Sequence, residues 1–184
     1  MTRDEAYQLV TSWTENKNLI KHMLAVEAAM GALAKHFKED EYTWKILGLI
    51  HDADYDKHPD KHPMVLIEEL EKKKENPELI NAIKAHAWGY RENLPEPKTN
   101  MEWSIYCCDE LTGFIVAVTL VRPDRKLSGV TVKNILKKWP EKSFAKGVHR
   151  EQIELCEDKL GIKLIDFIQI VLTSMQGISA DLGL

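Results

Sequence analysis

Two histidines and two aspartates stand on or beside helical faces that their neighbours mark as apolar. His22 lies three residues after Leu19 and four before Val26, beside the hydrophobic seam of its helix. His51 continues the line of Trp44, Leu47 and Gly48 at the same spacing, so it points inward, with Asp52 next to it. Asp109 is the sharpest case. It falls between Ile105 and Thr112, with Val116 and Leu120 extending the face, in the middle of a long helical pattern. A carboxylate buried there without a partner costs several kcal/mol, so it requires a cation or a strong donor set. Imidazole and carboxylate together form a mixed nitrogen and oxygen donor set that suits Mn, Fe, Co, Ni or Zn, with Mg less favoured. Such a ligand set leaves coordination positions for water and a substrate oxygen, as a hydrolytic metal requires.

The elements that carry these residues read as helices almost throughout. Thr2 to Glu5 is a capping-box pattern opening a helix with Ala6, Leu9, Val10 and Trp13 on one face. The next helix carries Leu19, Met23, Val26, Met30, Leu33 and Phe37 as a continuous stripe. A third, over about residues 41–52, is apolar nearly all round and belongs at the centre of the core. Residues 53–63 break the pattern with two prolines and dense charge, and read as a loop or a frayed helix end. Pro63 and Pro77 suit the first turns of following helices, with Asn76 capping the second. A long helix spans about residues 100–121 and stops before Pro123, and two more follow Gly147 and Gly161. No stretch has a convincing period of two. The chain is expected to be all-α, a single domain over residues 1–184 with about seven to nine helices.

The order His22, His51-Asp52, Asp109 resembles the H…HD…D signature of the HD-domain superfamily of metal-dependent phosphohydrolases. Leu49-Ile50-His51-Asp52-Ala53-Asp54-Tyr55 is similar to that superfamily's apolar helix ending in the His-Asp doublet. Cys108-Asp109-Glu110-Leu111-Thr112-Gly113 is similar to its final metal aspartate in a predicted-hydrolase branch. The resemblance implies an HD-type helical bundle, with a metal-binding core over about residues 19–121 and a C-terminal helical extension over about 128–184. It implies His22, His51, Asp52 and Asp109 as ligands of one divalent cation. The implied reaction cleaves a phosphate ester, a nucleotide-like phosphomonoester or phosphodiester, with a metal-activated water. Some members use an acid soon after the doublet as the base. Asp56 lies four residues past Asp52 and is preferred to Asp54 and Asp60, provided the helix persists. Lys57 and His62 are candidate phosphate contacts, as are the neighbouring His58 and Lys61. His86, inward after Leu79 and Ile83, resembles an extra histidine that some members place near the metal, and is a candidate for contacting substrate or supporting the ligands, the alternative being a hydrogen-bonded core histidine. With His62 and His86 both as ligands the site would hold two ions; the sparse histidine complement favours one.

Bulk properties narrow the partners. The chain has 184 residues, is 44% hydrophobic and 29% charged, and carries a formal net charge of -4, so it is expected to be globular rather than disordered. The acidic balance argues against nucleic acid as a partner, whereas a bound cation would still attract a small phosphorylated substrate. The N-terminus shows no secretory signal, no apolar run approaches a membrane span, and the three cysteines include no CxxC. A cytoplasmic protein with reduced core thiols is expected. Two other readings remain open: a regulatory or nucleotide-binding helical module with a structural metal, and a plain helical scaffold in which the four residues form a polar network.

Overall fold

The computed structural model describes residues 1–184 as an all-α bundle of ten helices and one short 3-10 turn. They are α1 (Arg3–Trp13), α2 (Lys17–Phe37), α3 (Glu41–Ile50), α4 (Met64–Lys72), α5 (Pro77–His86) and α6 (Asn100–Leu120), then α7 (Val132–Lys138), α8 (Arg150–Leu160), α9 (Leu164–Gly177) and α10 (Ser179–Leu182). The only strand-like feature is an isolated bridge between Trp88 and Arg91. Ten helices slightly exceed the range expected from periodicity. The short α7 and α10 account for the difference, being too brief to show a repeating apolar face.

Local chemistry sets the helix starts. Thr2 and Glu5 form a reciprocal capping box on α1, and Thr99 and Glu102 form another on α6. Asn76 caps α5 ahead of Pro77, and Asp40 caps α3 through the Tyr42 and Thr43 amides. One hydrophobic core runs through the bundle, with Met23, Met30, Leu33, Leu47, Ile50, Ile83, Ile105, Phe114 and Phe167 fully buried in it.

Two packings place the candidate residues. Helices α2 and α3 pack backbone to backbone at Gly48, where an added Cβ would lie 2.7 Å from the Val26 carbonyl oxygen. Glycine there lets the two backbones touch, and so draws His51 at the end of α3 toward His22 on α2. The second packing is that of α6, which lies against α2, α5, α8 and α9. Helix α6 is long and apolar enough to cross a membrane by composition, but most of it is buried inside the bundle.

Helix α3 ends at Ile50, two residues earlier than its sequence pattern suggests. Beyond it the chain turns tightly: Ala53 N–H donates to Ile50 O and Tyr55 N–H to Asp52 O, each a three-residue step. The register changes from that of an α-helix, and with it the direction of every side chain from Ala53 onward.

Candidate metal centre

His22, His51, Asp52 and Asp109 meet at one place. His22 Nε2 lies 2.8 Å from Asp109 Oδ1 and 3.8 Å from Asp52 Oδ2. His51 Nε2 lies 3.5 Å from Asp109 Oδ1 and 3.6 Å from Asp52 Oδ2. On the other side of Asp52 stand two further histidines. Asp52 Oδ1 is 3.4 Å from His62 Nε2 and 3.9 Å from His86 Nε2. Two triads, His22–His51–Asp52 and Asp52–His62–His86, each bring their ligand atoms within 4.8 Å of one another and share the Asp52 carboxylate.

All four imidazoles are oriented alike. His51 Nδ1 is 2.9 Å from the Gly48 carbonyl oxygen, and His86 Nδ1 bonds to the Ile83 carbonyl. Carbonyls only accept, so both Nδ1 atoms carry a proton, and in the neutral ring each Nε2 presents its lone pair. Asp54, fully buried, takes the same part for His62: its Oδ1 is 2.7 Å from His62 Nδ1, while Oδ2 accepts the Leu66 amide at 2.9 Å. His22 Nδ1 sits 3.2 Å from the Thr112 hydroxyl, which itself donates to the Asp109 carbonyl, so His22 also turns Nε2 to the centre. Partners of this kind fix the tautomer of metal-binding histidines.

The result is an excess of lone pairs. His62 Nε2 and His86 Nε2 face each other at 3.2 Å with both their ring protons on the far side. His51 Nε2 is buried with no hydrogen-bond partner. Such an arrangement is repulsive, and leaving a buried polar atom unpaired costs about 1–3 kcal/mol, unless positive charge stands between the groups. In the metal-free protein protons supply part of it. Burial disfavours the His51 imidazolium, but Asp52 and Asp109 outweigh it and raise its pKa to about 9. Burial also pushes the Asp109 carboxyl up, yet His51 and His22 hold it well below the usual range. His86 goes the other way: burial, with help from His62 and His51, lowers it to about 4 and keeps it neutral. A mixed set of neutral imidazoles and ionised carboxylates, aimed inward and short of positive charge, fits divalent cations.

The profile of the HD domain matches residues 19–112, just over half of the chain, and spans His22 to Asp109. The chain is an HD-domain protein. It belongs with the superfamily of metal-dependent phosphohydrolases. No curated protein and no solved structure matches it with significance.

In this HD-domain protein the remaining candidates are spread differently. His62 and His86 are buried beside Asp52. The carboxylate of Asp56 points elsewhere, accepting the Glu15 and Asn16 amides at 2.8 and 3.0 Å where α2 begins. The expected four-residue register with Asp52 requires a helix that has already ended, so Asp54 rather than Asp56 turns inward. Lys57 donates to the Ser12 carbonyl at 2.8 Å, and His58, Asp60 and Lys61 are exposed.

A cavity of about 740 Å³ opens onto Asp52, Asp109, His62 and His86. Asp52 and Asp109 keep some exposure where they line it and His22 is partly exposed as well, while His51 is fully buried. The loop after α5, α6 and the start of α8 line it too, bringing in Tyr90, Glu110, and His149 with Glu151, whose roles sequence spacing does not reveal. Glu110 accepts the His149 amide at 3.1 Å and so ties α6 to the residue that caps α8. Burial first, and then Asp109, raises the Glu110 carboxyl.

Proposed function

We propose that this HD-domain protein hydrolyses a phosphate ester, a phosphomonoester or phosphodiester of a small compound such as a nucleotide, with the help of divalent cations. The reading rests on one observation above the others: four imidazoles, each anchored through Nδ1, turn their Nε2 lone pairs onto two carboxylates beside an open cavity. His22, His51, Asp52 and Asp109 would hold one ion. His62 and His86 would hold a second, with Asp52 shared, and the close approach of their two lone pairs favours two ions over one. When bound, such ions offset the charge on a phosphoryl oxygen and lower the pKa of water toward neutrality.

The chain's own residues supply the positioning. Gly48 O, Ile83 O, Thr112 and the Asp54 carboxylate hold the rings in one tautomer, so little reorganisation accompanies binding. The Arg91 guanidinium donates to the His62 carbonyl and ties the loop after α5 to the same ligand. Asp56 and Lys57 support the turn that follows α3 rather than act on substrate. The three buried, unpaired cysteines support a reducing, cytoplasmic setting.

The test is metal analysis of the purified protein, followed by a screen of generic phosphate esters with Mn, Co and Ni. Bound metal, metal-dependent release of phosphate or a nucleotide product, and loss of both in Asp109→Ala and His51→Ala are expected. A protein that carries no metal and gains no thermal stability from these ions would overturn the reading. Tight nucleotide binding without turnover would favour a regulatory module instead.

A further inference from the structure

The cavity beside the metal centre contains no lysine or arginine. That is unexpected for a site taking a phosphorylated compound, because phosphates beyond the first need cationic partners of their own. Its outer wall carries the opposite charge. Glu110 and Glu151 both line it, in addition to the two aspartates at the centre. Glu110 engages the His149 amide through one oxygen, and Glu151 lies 3.1 Å from the His149 ring, at the mouth of the cavity. Trp88 and Tyr106 stand in the same wall with ring centroids 5.5 Å apart. Aromatic rings beside carboxylates, with no lysine or arginine in the lining and His149 as the one basic side chain between the two glutamates, form an environment in which ammonium groups are bound.

Charge balance leads to the same place. Cations at the two triads would be met by Asp52, Asp109 and one phosphate. Glu110 and Glu151 would then face whatever is attached to that phosphate. We infer that the cavity selects a single-phosphate ester whose leaving alcohol carries a positive charge, an amine or a quaternary ammonium, and rejects leaving groups bearing further anionic charge. The inference rests on the phosphohydrolase reading and adds the substrate class. The selecting wall comes from the loop after α5, from α6 and from α8, and the α8 part lies beyond the residues matched by the family profile.

The experiment is equilibrium dialysis and initial-rate kinetics of the manganese-loaded full-length protein with choline phosphate, glycerol phosphate and phosphoglycerate. These probes share the phosphate and differ in the charge of the rest. Binding is expected to weaken in that order, with choline phosphate about tenfold tighter than glycerol phosphate, as one buried cation–π contact and an ion pair together supply. Glu151→Lys, an exposed position where charge reversal spares the fold, is expected to reverse the order of choline phosphate and phosphoglycerate. Equal binding of the three, or a wild-type preference for phosphoglycerate, would overturn the inference while leaving hydrolysis in place. Failure of every ester to bind the metal-loaded protein would remove the phosphohydrolase reading and this inference with it.

Discussion

Asp54 Oδ1 lies 2.7 Å from His62 Nδ1, and its other oxygen accepts the Leu66 amide, so one buried carboxylate connects the start of α4 to the orientation of a candidate ligand. Without it, the His62 ring has nothing to hold its proton on the far side from Asp52. Asp54→Asn is expected to weaken binding of the second ion by about 10–100-fold, the usual effect of removing a ligand's supporting partner. Titration calorimetry with Mn should then resolve one tight site and one weak site, against two tight sites in the wild type. An unchanged second site would mean that His62 is not a ligand.

His62→Ala separates the two triads. Metal content by elemental analysis is expected to fall from two ions per chain to one, because His22, His51 and Asp109 are untouched. His22→Ala should weaken the other site. A wild-type content of one ion would place His62 and His86 outside the ligand set.

The pKa shifts set opposite pH limits on the metal-free protein. His51 is raised from 6.5 to about 9, so its contribution is complete below pH 6.5 and is lost as pH rises through 9. His86 is lowered from 6.5 to about 4, so its contribution is present above pH 6.5 and is lost as pH falls through 4. Thermal unfolding without metal should therefore show a maximum near pH 6.5. Because an ion displaces the His51 proton, the stabilisation by Mn should grow from pH 6 to pH 9, with proton release on binding. Calorimetry in buffers of different ionisation enthalpy measures that proton directly.

At Gly48 the added methyl of alanine would meet the Val26 carbonyl and the Glu27 amide at 2.7 and 2.8 Å, both backbone atoms that cannot swing aside. Gly48→Ala is expected to cost about 1–3 kcal/mol by forcing α2 and α3 apart. Differential scanning calorimetry should show a lower Tm, and metal binding at the His22–His51 triad should weaken at the same time. Gly113, where a methyl meets open space, is the control.

Asp56→Asn distinguishes a base from a structural acceptor. If its oxygen serves the Glu15 and Asn16 amides, the variant keeps kcat and metal content, and only Tm falls. A collapse of kcat with KM unchanged would restore Asp56 to the chemistry.

The helical bundle and the meeting of His22, His51, Asp52 and Asp109 were legible because both depend on the 3.6-residue repeat, which places polar side chains against apolar neighbours. The direction of Asp56 was not. Its expected register with Asp52 extends the helical repeat past Ile50, and the three-residue turns that follow send Asp56 to α2 and Asp54 inward. His62 read as one of several basic loop residues and, with His86, as a possible ligand of a second ion, because no periodicity distinguishes a buried turn from an exposed one. Glu110, His149 and Glu151 come together only when α8 docks on α6, a contact between distant segments that carries no local signal.

The link between Glu110 and the His149 amide also bears on how such a protein can diversify. The candidate ion-holding cage is encoded between His22 and Asp109, whereas part of the proposed selecting wall is contributed by a tail outside the matched residues. Substitutions in the tail can therefore retune what is accepted without disturbing the chemistry, so selectivity and reactivity are free to change on separate mutational routes.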